Sequence, residues 1–143
     1  MIKRFVALLE YLGGNYSGWQ VQPFLSPQLT IQGNVELALS KIAGGEEIKI
    51  TCAGRTDAGV NALGQVIHFD TSKTRDNYAW LCGVNRYLPK DIRLQAIKEI
   101  RPNFDARRDA KRRFYRYLIL NQRQQSAIYQ NLCYCVGLEL NAT

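Results

Sequence analysis

The sequence predicts an α+β fold in which two helices lie on one face of an antiparallel sheet, and three features point to it. Residues 3–11, 47–53 and 92–100 alternate like strands, and Val66, Ile67 and Phe69 mark another strand over 64–70. Apolar residues recur with helical spacing after Thr30, and Asp76 can cap a second helix that ends before Pro89. Glycine- and proline-containing stretches separate these segments. The resulting order is strand, helix, strand, strand, helix, strand, which is the ferredoxin-like split βαβ arrangement with one sheet face left uncovered.

Each element follows from its residues. KRFVALLEY, residues 3–11, reads as the first strand, and GGNYSGWQVQPFLSP after it as a long loop. Thr30 can cap a helix whose apolar positions are Ile31, Val35, Ala38, Leu39 and Ile42, stopped by Gly44 and Gly45. Strands over 47–53 and 64–70 flank the turn that carries AGRTDAGVNA. Asp76 caps a second helix running to about Leu88, with Pro89 beyond its end. IRLQAIKEI is the fourth strand, up to Pro102. Residues 111–121 (KRRFYRYLILN) look like a further strand and 132–140 like another, but they complete no second unit. The expected organisation is therefore a domain over 1–105 and, over 106–143, a basic crossing with the first strands of a second, incomplete domain.

At 143 residues the chain is long enough for one domain with a substantial core. A hydrophobic content of 46% with 10% aromatics belongs to a folded protein and excludes a disordered one. No apolar run approaches a membrane span, and MIKRFVALLEY lacks the cleavage site of a signal peptide. Cys52, Cys82, Cys133 and Cys135 form no zinc-type pairing, and His68 is the only histidine. Buried free thiols in a reducing, cytoplasmic compartment are expected, with Cys133 and Cys135 on one face of a strand and no metal site.

Charge is unevenly placed. The chain carries +7, and residues 101–116 hold seven Arg or Lys against Asp105 and Asp109, an excess of +5. Arg107, Arg112 and Arg113 are interleaved there with Phe104, Phe114, Tyr115 and Tyr117. Arginine forks match phosphate oxygens and aromatic faces match unstacked bases, so the segment suggests RNA. A solvated basic face is the simpler alternative.

The segment AGRTDAGVNALGQVIHF resembles the signature of the tRNA pseudouridine synthase A family. YLGGNYSGWQVQ, TIQGNVELALSKI, GVNRYLPKDI and FDARRDAKRRFYRY resemble, in order, that family's first loop, first helix, second helix with its exit, and crossing. Asn61 departs from the pattern, standing where the family usually has histidine. Family members are about twice as long, so the chain corresponds to their N-terminal half.

The resemblance implies a tRNA pseudouridine synthase, an isomerase without metal or cofactor. It implies a homodimer acting on the anticodon stem-loop of tRNA. Asp57 is then the nucleophile, attacking either the uracil ring or the ribose anomeric carbon. Arg55 pairs with Asp57 or fills the gap left by the base, and Tyr115 packs against the uracil. Arg107, Arg112 and Arg113 hold phosphates. Taken singly, these residues have plainer readings: Asp57 as a turn stabiliser, Arg55 as a surface ion pair, Tyr115 as core. Trp19 is expected to pack beneath its loop, and His68 to be structural. A non-catalytic RNA-binding module is the alternative function.

Overall fold

Alternation places Phe5, Ala7, Leu9 and Tyr11 of β1 (Lys3–Tyr11) on one side of the sheet, and all four are buried. In the computed structural model, which describes residues 1–143, this strand is central. It pairs antiparallel with β3 (Ala62–Thr71) and with β4 (Ile92–Ile100), and β2 (Ile50–Cys52) pairs antiparallel with β3. The sheet order is β2-β3-β1-β4. Two helices, α1 (Ile31–Ile42) and α2 (Asn77–Tyr87), complete an α+β unit. Phe5 and Phe69 stack with centroids 5.5 Å apart, and Trp80 of α2 packs on both, at 5.8 and 5.7 Å. No helix is long and apolar enough to cross a membrane.

The expected caps form. Thr30 Oγ1 accepts the Gly33 N–H at 3.1 Å, and Asp76 Oδ1 accepts the Ala79 N–H at 2.7 Å. Gly44 and Gly45, at φ 70° and 91°, end α1 in the left-handed region. Strand β2 is shorter than predicted because α1 takes its first donors. The Ile48 N–H bonds Ser40 Oγ, and the Ile50 N–H bonds the buried Glu36 carboxylate at 3.1 Å. Alternation in β4 slips by one residue. Leu9 faces Leu94 while Leu8 faces Ala96, so Gln95 is extra, and Ile97 turns inward with Ile92 and Leu94.

Backbone packing divides the chain into two compact units, Met1–Lys111 and Arg112–Thr143. In the second, β5 (Ile119–Asn121) and β6 (Tyr134–Val136) pair in parallel, and Asn121 Nδ2 bonds the Val136 carbonyl at 2.9 Å. The strand predicted over 111–121 is thus confined to its last three residues, and that over 132–140 to three. Phe114, Tyr115 and Tyr117 are 86%, 75% and 78% exposed. A period-two pattern forms a strand only where a ladder and a buried face receive it, and residues 111–117 have neither. Tyr115 is consequently not a core residue. The cysteines also depart from expectation: Cys52 is buried, Cys82 exposed, and Cys133 and Cys135 half-buried.

Candidate active site

Residues 53–61 connect β2 to β3 and present Arg55 and Asp57 to solvent. No ion pair joins the two side chains. What fixes the loop is the backbone around Asp57. The Trp19 N–H donates to the Thr56 carbonyl at 3.0 Å, and the Val60 N–H to the Asp57 carbonyl at 3.2 Å. Thr56 Oγ1 lies 2.8 Å from the Tyr11 hydroxyl, and the Gly13 N–H donates to Asn61 Oδ1 at 2.8 Å. Gln65, buried on β3, donates through Nε2 to the Gly54 carbonyl, while its Oε1 lies 3.4 Å from the Gly54 N–H.

Two glycines let the loop after β1 lie directly on this turn. A Cβ at Gly13 would stand 2.1 Å from the Val60 carbonyl oxygen. One at Gly18, where φ is 93°, would stand 3.2 Å from the Thr56 carbonyl oxygen and 3.3 Å from the Ala58 nitrogen. Trp19, 2% exposed, packs on Tyr11 with centroids 6.0 Å apart and so supports the loop from beneath. Asp57 is thus an exposed carboxylate on a backbone held from both sides, an arrangement suited to a nucleophile that must meet its substrate in a fixed direction.

Around the turn, burial pushes the Cys52 thiol up, while Arg55 and Arg107 both pull it down. Burial also keeps His68 below its ordinary value, and its Nδ1 accepts the Ala106 N–H at 3.0 Å, the structural role expected of it. Arg112, Arg113 and Tyr115 lie in the second unit, all exposed. The bracing residues Tyr11, Gly13, Gly18 and Gln65 lie in the two quoted segments YLGGNYSGWQVQ and AGRTDAGVNALGQVIHF, but the sequence assigns them no bracing role. The glycine density of YLGGNYSGWQ is the available signal, but nothing local says what the glycines approach.

Comparison with known proteins gives the context for this geometry. The family profile described as tRNA pseudouridine synthase matches residues 7–116. A protein named tRNA pseudouridine synthase A from Buchnera aphidicola subsp. Schizaphis graminum is 48% identical over 139 residues, which is 97% of this chain and 51% of that protein. Its namesake from Colwellia psychrerythraea is 50% identical over 125 residues, 87% of this chain and 47% of the relative. One from Wigglesworthia glossinidia brevipalpis is 46% identical over 140 residues, 98% and 52% respectively. The chain spans about half the length of the curated relatives it matches. On this agreement across nearly all its residues, the chain belongs to the tRNA pseudouridine synthase family.

Proposed function

We propose that this chain is the catalytic-aspartate half of an enzyme that isomerises uridine to pseudouridine in the anticodon stem-loop of tRNA. Residues 1–105 form its ferredoxin-like domain, residues 106–143 lead into a second domain, and the complete protein works as a cytoplasmic homodimer. The observation that carries the reading is Asp57, exposed on a turn braced by Gly13, Gly18 and Trp19.

The chemistry follows from that carboxylate. A uridine leaves its stack to reach the turn. Asp57 attacks either the uracil ring or the ribose anomeric carbon, the N-glycosidic bond breaks, and the base rotates. The ring then rejoins the ribose through carbon 5 and the bond to Asp57 breaks, restoring the carboxylate; carbon 5 gives up its hydrogen as a proton, and N1 takes one up. Arg55, two residues from the nucleophile and without an ion-pair partner, occupies the gap left by the base. Tyr115 packs against the uracil, and Arg107, Arg112 and Arg113 neutralise phosphates.

Tritium release from uridine labelled at carbon 5 in tRNA tests this, using the protein from the complete reading frame. Asp57→Asn keeps the shape and loses the anion, so turnover should vanish while tRNA binding persists. Turnover by the Asn variant would remove Asp57 from the chemistry. Binding without turnover in the unaltered protein would favour the non-catalytic RNA-binding module.

A further inference from the structure

The segment after β4 is clamped by side chains that the uridine chemistry does not use. Arg4 of β1 grips Asp70 of β3 twice, Nε to Oδ1 at 2.7 Å and Nη2 to Oδ2 at 2.6 Å. Its remaining Nη1 donates to the Phe104 carbonyl at 2.7 Å. Beside it, His68 Nδ1 accepts the Ala106 N–H at 3.0 Å, and the His68 and Phe104 rings meet edge-on at 6.1 Å. His68 and Ala106 are 7% and 2% exposed, so the bond between them is not shared freely with water. Between the two clamped residues, Asp105 Oδ1 accepts the N–H groups of both Arg107 and Arg108 at 2.9 Å. Both arginines are exposed.

We propose that His68 is a positioning residue for RNA binding: its unprotonated Nδ1, with the Arg4–Asp70 pair, fixes the Phe104–Arg108 turn so that Arg107 and Arg108 meet phosphates from a pre-ordered backbone. This rests on the RNA reading above. Ordering the turn before RNA arrives removes part of the entropy that binding otherwise costs. Only the neutral imidazole can serve, because a proton on Nδ1 would turn the acceptor into a second donor facing the Ala106 N–H. The charges facing the ring are Arg4 from β1, Asp70 from its own strand, and Asp105 and Asp109 from the turn. Its cross-strand neighbours, Val6 and Thr51, carry none.

The chain holds one histidine, so a nitrogen-15 imidazole spectrum of the 143-residue protein reads this site alone. We expect the Nε2–H tautomer at neutral pH and a slowly exchanging Ala106 amide. Protonation of Nδ1 and loss of that protection should share one midpoint. With unfractionated tRNA as probe, His68→Ala should weaken binding about tenfold and lower the salt slope by about one. His68→Asn, whose Oδ1 stands near the position of Nδ1, should bind within about twofold of the unaltered chain. As pH falls through the His68 midpoint, the unaltered chain should lose affinity relative to the Asn variant, a comparison that holds even if His68→Ala does not fold. An Nδ1–H tautomer at neutral pH, or an Ala106 amide indifferent to the titration, overturns the clamp. A clamp present with equal tRNA affinity in all variants overturns its role in binding. Failure of the unaltered chain to bind tRNA overturns the RNA reading and this role with it, while the tautomer and exchange data still decide the clamp separately.

Discussion

The Gly13 N–H donates to Asn61 Oδ1 across 2.8 Å, tying the loop after β1 to the far end of the turn that presents Asp57. Where the resembling family usually has histidine, an amide oxygen here supplies the acceptor. Asn61→Ala should leave the Gly13 donor short of a partner and cost about 1–2 kcal/mol in urea unfolding. Asn61→His, able to accept at Nδ1, should recover most of that loss at neutral pH. Equal stability of all three proteins would show that the bond contributes nothing.

Gly18 and Gly59 test placement against backbone conformation alone. Both have positive φ, 93° and 82°, but only a Cβ at Gly18 meets the Asp57 turn, whereas at Gly59 nothing lies within 4 Å. Alanine at either site should cost about 1–3 kcal/mol from strained backbone. In the protein from the complete reading frame, Gly18→Ala should also slow tritium release by more than about tenfold, since displacing reacting groups by about 1 Å is costly. Gly59→Ala should leave turnover nearer normal. Unfolding curves and tritium release on both variants make the comparison.

Removing charge at Arg107, Arg112 and Arg113 together should weaken tRNA binding and flatten its dependence on salt. Each phosphate neutralised adds roughly 0.7–0.9 to the log–log slope, so replacing all three arginines should lower it by about two to three. Filter binding at several salt concentrations measures this. An unchanged slope would place the RNA surface on other residues.

Acid should lower the stability of the first unit in two steps. Burial first, then Arg4, lowers the His68 pKa below its ordinary 6.5. A base lowered on folding contributes stability that is complete above 6.5 and is lost as pH falls from there to the folded value. The hydrogen bond from Arg4 lowers Asp70 below its ordinary 3.8, so its contribution is present above 3.8 and is lost as pH falls through the folded value. Urea unfolding across pH should show both losses. His68→Asn should remove the upper one, and Arg4→Met the lower.

Much of the fold is legible in the residues because its determinants are local. The Thr30 and Asp76 caps, the helical spacing of Ile31, Val35 and Leu39, and the alternation of β1 each depend on neighbours within a few positions. The turn carrying Arg55 and Asp57 is visible for the same reason: glycines flank it and strands enclose it. Tertiary structure alone decided the rest. Ile50 gives its N–H to Glu36, fourteen residues away, and that shortens β2. Gly13 and Gly18 matter because Val60 and Thr56 lie against them, a proximity no local pattern encodes. The alternating residues 111–117 stay out of any strand because alternation states which side chains could share a face, whereas a strand also needs a partner backbone and a surface to bury.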